Sequence, residues 1–158
     1  MIGQETVAAA EAAQLQIIAF EIGAACYGAP LSAVREIRAW SGATHLPNTA
    51  PYIRGVINLR GAIVPVIDLS ARLGGALLTP GETHVVVIMQ NDGGKLVGVL
   101  VDSVSDIVSI ARDDLRPPPD LNGHGPDPLI SHVAPLGARL LAIIAPPLLL
   151  DAGAALAA

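Results

Sequence analysis

The chain carries one apolar pattern twice, and any fold it adopts has to accommodate both copies. Ile53, Val56, Leu59, Ile63, Val64, Val66 and Ile67 return 77 residues later as Ile130, Val133, Leu136, Leu140, Leu141, Ile143 and Ile144. An earlier stretch repeats at an offset of 70, where Gly23, Gly28, Val34, Glu36 and Ile37 are answered by Gly93, Gly98, Val104, Asp106 and Ile107. A proline-rich insertion (Pro117, Pro118, Pro119, Pro126, Pro128) accounts for the change of offset. The polar residues do not follow suit. Asn58 and Arg60, at the tip of Asn58-Leu59-Arg60-Gly61, become Pro135 and Gly137. The apolar frame is what the fold needs, and the charged tip is something only the first copy does.

The repeated unit reads as strands. Apolar runs on both sides of the Asn-Leu-Arg-Gly tip predict a β-hairpin over Gly55–Asp68 with an arginine at its end. Upstream, Leu15–Ile22 and Ala25–Ala29 are strands around a Gly23-Ala24 turn, and Pro30 opens a short helical turn that puts Leu31 and Val34 on one face. Ala43–Leu46 reads as a short strand stopped by Pro47. Asp68 is placed to cap a brief helix over Leu69–Leu73, ended by Gly74-Gly75. His84–Gln90 and Lys95–Val101 flank an Asn91-Asp92-Gly93-Gly94 turn. Val85–Met89 is apolar on both faces, which implies burial between two layers. Strands this short with frequent turns favour small barrels, which also leave no open edges. The expected fold is therefore mainly β, two similar subdomains of about five strands each with short helices. Residues 1–14 and 151–158 read as tails. The folded part is 15–150, its subdomains about 15–70 with a chain crossover and about 71–150.

Composition narrows the function. With 52% hydrophobic and 15% charged residues the chain can build a core, and with only 3% aromatics that core must be aliphatic. A net charge of −5, eight arginines and one lysine make no basic stripe, so nucleic acid is not an expected partner. The longest apolar run, Leu140–Leu150, is broken by Pro146 and Pro147 and falls short of the roughly 20 residues a membrane helix needs. No basic start of a signal peptide is present, and one cysteine forms no internal disulfide, so the expected location is the cytoplasm.

The search for chemistry finds little. His45, His84, His124 and His132 make no zinc-ligand spacing, and one cysteine builds no thiolate metal site. Cys26 reads as a buried structural thiol, although a hydrolase or ligand binder using it with a distant histidine is the competing class. Asp120-Leu121-Asn122-Gly123-His124-Gly125 lacks the bidentate glutamate of a calcium loop, since that position holds Ser131. Neither Gly123-His124-Gly125 nor Gly93-Gly94-Lys95 completes a phosphate cradle. Asp102, Asp106, Asp113 and Asp114 form a candidate acid cluster, with Asp102 and Asp106 expected on a solvated face. No catalytic residue, metal or cofactor is expected. Binding remains, and Arg60 is the leading candidate, because its fork grips carboxylates and its flat face stacks on apolar surface. The other reading of Arg60 is an internal salt bridge with Glu36. Asn58 either contacts a partner or caps the turn. Val34 and Ile107 are either core or the lining of a groove between barrels, where an amphipathic helix would fit.

Tyr27-Gly28, Val34-Arg35-Glu36-Ile37, Leu46-Pro47, Ile53-Arg54-Gly55-Val56-Ile57-Asn58-Leu59-Arg60-Gly61, Pro65-Val66-Ile67-Asp68-Leu69, Gly98 and Val101-Asp102-Ser103-Val104-Ser105-Asp106-Ile107 together resemble the CheW family of bacterial chemotaxis adaptors. The likeness runs from about Leu15 to Leu150. It implies two five-stranded SH3-like barrels and a non-enzymatic coupler between the cytoplasmic tips of chemoreceptors and the regulatory domain of the histidine kinase CheA, in arrays beneath the inner membrane. It implies that Val34, Glu36, Asn58, Arg60 and Ile107 bind the receptor tip, while the kinase packs end-on against the barrels through residues it does not specify. It leaves open whether the pathway drives flagella or another system such as twitching motility. Two positions depart from the family pattern. Ser70 stands where a basic residue is usual, and Ala145 replaces the aspartate expected after the second hairpin.

Overall fold

The two repeats fold into matching strands and then exchange them. The computed structural model describes residues 13–73, 81, 83–90, 94–119 and 129–145. The first repeat supplies β1 (Gln14–Ile22), β2 (Ala25–Pro30), β3 (Val34–Ala39), β4 (Ile53–Leu59) and β5 (Ala62–Asp68). The second supplies β6 (Val85–Gln90), β7 (Leu96–Val101), β8 (Ser103–Ala111), β9 (Ile130–Leu136) and β10 (Arg139–Ile144). One sheet has the order β8-β1-β2-β10-β9 and the other β3-β6-β7-β5-β4. Each five-stranded sheet thus takes the opening hairpin of one repeat and the last three strands of the other. Neither sheet is a contiguous stretch such as 15–70 or 71–150. The crossing points are the short links from β2 to β3, one turn of 3-10 helix at Leu31–Ala33, and from β7 to β8, the single residue Asp102.

The repeat holds at the level of register. Ile53 pairs with Ile67 and Leu59 with Ala62, while Ile130 pairs with Ile144 and Leu136 with Arg139. Strand β3 bulges against β6 between Val34 and Glu36, and β8 shifts against β1 between its counterparts Val104 and Asp106. The parallel contacts β5 to β7 and β10 to β2 match as well, with Val66 beside Gly98 and Ile143 beside Gly28. Those two glycines are required by close packing. A Cβ on Gly98 would lie 2.7 Å from Val86 Cγ1, and one on Gly28 would collide with Ile17. Both sheets close at the same place: Thr44 and Val56 exchange two backbone hydrogen bonds of 2.9 Å, and Arg116 and Val133 exchange two of 2.8 Å. Val56 and Val133 are themselves a repeat pair.

Three apolar clusters follow from this arrangement. Ile17, Ala19, Cys26, Leu141 and Ile143 fill the inside of the first sheet. Leu59, Val64, Val66, Val86, Ile88 and Leu100 fill the second. Between the sheets Ile18, Phe20, Ile67, Leu69, Val87, Met89, Val99 and Ile144 form a shared core. Along β6 the side chains alternate between the two, Val86 and Ile88 inward and Val87 and Met89 toward the other sheet, as its two apolar faces predict.

Asp68 caps the helix α1 (Leu69–Arg72), its carboxylate accepting from Ala71 N–H at 3.2 Å. Three expectations need correction. Ala43–Leu46 is not a strand, because only Thr44 pairs and the backbone on either side turns away at Gly42 (φ +96) and Asn48 (φ +61). The helix ends at Arg72 rather than Leu73. Asp102 is only partly solvated, its side chain 34% exposed: its Oδ2 accepts from Gly23 N–H at 2.8 Å, and His84 Nε2 lies 3.2 Å from the buried Oδ1. The turn at 91–93, the glycines at 74 and 75, the segment 120–128, which holds the calcium-loop candidate and His124, and most of both expected tails lie outside the described residues.

Candidate docking site at the first hairpin

The β4–β5 hairpin turns on Arg60 and Gly61, both with positive φ (51° and 89°), the geometry of a tight two-residue hairpin turn. Gly61 meets that demand without strain, whereas a non-glycine residue there costs of order 1 kcal/mol. Gly137 occupies the matching place with φ 62°. Arginine at 60 is thus a choice against local backbone preference, and the side chain must do what glycine cannot. Asn58 supports the turn, its Oδ1 accepting from Gly61 N–H at 2.8 Å. Here the turn-capping reading of Asn58 is what the geometry contains.

Arg60 reaches across the seam of its sheet to β3. Its Nη1 donates to Glu36 Oε2 at 2.9 Å, and Arg38 Nη1 stands 3.8 Å from the other oxygen of the same carboxylate. The internal salt bridge with Glu36 is therefore present. It does not hide the guanidinium, since the Arg60 side chain is 73% exposed against 23% for Glu36. An ion pair this open contributes roughly 0–1 kcal/mol to stability and leaves donors of the fork facing solvent. Beyond the Thr44–Val56 bridge the seam opens into a cavity of about 450 Å³, with Arg38, Trp40, Thr44 and Asn58 among its lining residues.

The other two candidates sit apart from this pair. Val34 precedes Glu36 on β3 and is half-buried against the shared core, so the packing reading holds for most of its surface. Ile107 is on β8, in the other sheet, and is 51% exposed. It is the repeat partner of Ile37, itself 42% exposed. The structure joins Glu36, Arg60 and Asn58 around one hairpin end and places Ile107 on the second sheet. The exposed apolar residues at the two hairpin ends went unnoticed in the sequence. Ile63 is 66% exposed and Leu140 is 67% exposed, and they too are repeat partners. The signal was there in the offset of 77, but apolarity alone reads as core.

The groups considered for catalysis do not converge. Cys26 is buried between β1 and β10, and that burial pushes its thiol above the ordinary value; Arg139 opposes the rise and Glu21 adds to it. A thiol held protonated is the reverse of what nucleophilic catalysis needs. The cavity beside it, about 350 Å³, is lined by Ala24, Tyr27, Arg139 and Leu140 with no histidine. His84 accepts from Gly81 N–H through Nδ1 at 2.9 Å, and its Nε2 lies 3.2 Å from Asp102 Oδ1. Among the described residues no three of His, Cys, Asp and Glu gather as metal ligands do.

The departure at Ala145 has a structural counterpart. Asp68 is wholly buried, and Arg54 Nε and Nη2 donate to its Oδ2 at 3.2 and 3.0 Å. In the second hairpin both members change together: Arg54 corresponds to Ser131, whose hydroxyl donates to Ile143 O at 3.3 Å, and Asp68 to Ala145. The backbone bond is retained in each copy, Asp68 N–H to Tyr52 O and Ala145 N–H to Leu129 O, both at 2.7 Å. Replacing a buried pair as a pair leaves no charge stranded. Nothing in the structure explains Ser70.

Comparison with known proteins agrees with this architecture. The CheW-like domain family matches residues 16–154. Chemotaxis protein CheW of Rhizobium meliloti is 44% identical over 106 residues, covering 67% of this chain and 68% of that protein. Its namesake in Klebsiella aerogenes is 34% identical over 146 residues, 91% of this chain and 87% of the relative. The scaffolding protein TtCheW of Thermoanaerobacter tengcongensis superposes with a TM-score of 0.75 at 28% identity, covering 83% of this chain and 88% of that one. With the family match spanning nearly the whole chain and these relatives alongside it, the chain belongs to the CheW-like domain family.

Proposed function

We propose that this protein is a chemotaxis scaffold that works by binding alone, coupling the cytoplasmic helical tips of chemoreceptors to the regulatory domain of the kinase CheA. The observation that carries the receptor half is Arg60: a guanidinium kept on an unfavourable backbone, anchored on one side by Glu36 and open on the other. A surface arginine with part of its fork already fixed loses little freedom on docking and accepts a carboxylate from a passing helix. Val34, Glu36, Asn58 and Ile107 complete the proposed receptor contact, Asn58 by holding the turn. The kinase half is supported by Ile63 and Leu140, apolar side chains left in solvent at both hairpin ends, where an end-on partner would cover them. No helix among the described residues is long and apolar enough to cross a membrane, and the proposed place of work is at receptor arrays on the cytoplasmic side.

The test is binding of the purified protein to a receptor signalling-tip fragment and to a kinase regulatory-domain fragment, measured separately. Arg60→Ala is expected to weaken the receptor complex at least tenfold while leaving the kinase complex unchanged. Equal receptor affinity in that variant would remove Arg60 from the contact and with it the docking reading that it carries.

A further inference from the structure

The pair that sheet β3-β6-β7-β5-β4 builds for itself is only half built in the other sheet. Glu36 and Asp106 occupy matching positions, each just after the bulge on the strand that borders the seam, opposite Ile88 and Ala19 respectively. Arg60 and Gly137 occupy matching positions in hairpins of identical register, each in the left-handed conformation. The seams close through Val56 and Val133 in the same way. Where one sheet sets a guanidinium on its acid, the other has the acid and no side chain to meet it.

Asp106 is exposed, and its one hydrogen bond among the described residues comes from the adjacent Ile107 N–H at 2.7 Å. Two cations of that sheet are engaged elsewhere: Arg139 with Glu21 and the Ala24 carbonyl, and Arg116 with the carbonyls of Asp113 and Leu115. Ile107, half in solvent, follows on the same edge strand and leaves it on the opposite face. Because β8 is the edge strand, a helix lying along that edge reaches both faces, and an exposed apolar residue and an acid with no cation of its own there are complementary to an apolar residue and a cation on that helix.

We infer that Asp106 is an open socket for an arginine or lysine of the receptor helix that covers Ile107, the partner supplying from outside the charge that Arg60 supplies from within at the other seam. This rests on the docking reading above and adds to it the chemistry of the second contact.

The experiment is titration of a receptor signalling-tip fragment, and separately of a kinase regulatory-domain fragment, against the parent and four variants over a series of salt concentrations. Asp106→Asn keeps the acceptor for Ile107 N–H and removes only the charge; it is expected to weaken binding about three- to tenfold and to flatten the salt dependence. Gly137→Arg places a guanidinium where Arg60 stands in the other copy, and by filling the socket internally it is expected to weaken binding by a similar factor. Asp106→Lys gives a larger loss, and serves should Gly137→Arg not fold. Arg60→Ala separates the two readings. If it binds as tightly as the parent, the docking reading fails. If it binds weakly while Asp106→Asn and Asp106→Lys match the parent at every salt concentration, the socket alone is overturned. A loss in Asp106→Asn confined to the kinase fragment overturns it as well.

Discussion

The buried pair Arg54–Asp68 offers the sharpest test of how the two copies diverged. Asp68 has no exposed surface and accepts from Arg54 Nε, Arg54 Nη2 and Ala71 N–H. Breaking such a pair from one side costs about 3–5 kcal/mol, because the survivor loses its countercharge. The two sides are not equivalent. In Asp68→Ala the orphan is Arg54, whose side chain is already 22% exposed and turns toward water, so the loss lies near 3 kcal/mol, including about 1 for the helix cap. In Arg54→Ser the carboxylate, which has no access to solvent, loses both guanidinium hydrogen bonds, and the loss approaches 5 kcal/mol. Making both changes reproduces Ser131 and Ala145 of the second hairpin. The double variant should then lose only about 1–2 kcal/mol, chiefly the cap and some packing, for a coupling energy of several kcal/mol. Urea unfolding of the parent, both single variants and the double variant measures this, with the denaturant slope checked for constancy. If the double variant's loss equals the sum of the single losses, the pair is not coupled and the account of Ala145 is wrong.

Three further outcomes follow from the same geometry. Gly98→Ala puts a methyl 2.7 Å from Val86 Cγ1 at the centre of a sheet and should cost about 1–3 kcal/mol in chemical unfolding; a neutral result would show that β6 gives way freely. Arg60→Gly trades an exposed ion pair for a relaxed turn, so its melting temperature should equal or exceed the parent's even as receptor binding falls; clear destabilisation would mean the Glu36–Arg60 pair holds the seam. The raised Cys26 thiol should react with thiol reagents only on unfolding. Since the unfolded thiol ionises first, its contribution to stability is complete below about pH 9 and declines as pH rises from there through the higher folded value, a decline that Cys26→Ala should lack. Rapid labelling of the folded protein would contradict its burial.

What the sequence discloses about this fold tracks the range of the interactions involved. Local features were legible: the Gly23-Ala24 turn, the Asp68 cap and the hairpin tip each depend on residues within a few positions of one another. The repeat was legible too, because register forces apolar residues to recur at fixed places. That the chain crosses over was expected, but which strands are exchanged was not legible, since β1 would make the same apolar contacts beside either β3 or β8, and nothing local distinguishes them. Ala43–Leu46 looked like a strand by composition, yet its one bonded residue is fixed by Val56, a contact twelve positions away. At the site, Arg60 stood out because its counterpart is glycine, and the Glu36 bridge was foreseeable as one of two readings. Asp102 was misjudged because its partners, Gly23 and His84, come from other elements. Ile63 and Leu140 were hidden by chemistry: an exposed isoleucine and a buried one are spelled alike.

The exchange has a consequence for how such a chain serves as a connector. If each repeat closed its own sheet, two units would meet only across the shared core, and a partner pulling on one could displace it from the other. Here each sheet is completed by strands from the opposite repeat, and the links that cross between them are three residues and one residue long. Sliding one sheet relative to the other would have to stretch those links, and Asp102, bonded through its own N–H to Glu21 O at 2.9 Å and through its carboxylate to Gly23, fastens one of them to the β1–β2 turn. The seam carrying Glu36 and Arg60 and the seam carrying Asp106 and Ile107 are therefore held at a fixed separation by covalent geometry as well as by packing. If both seams are docking points as proposed, their fixed separation on one rigid body would let one helix engage both without a further ordering cost.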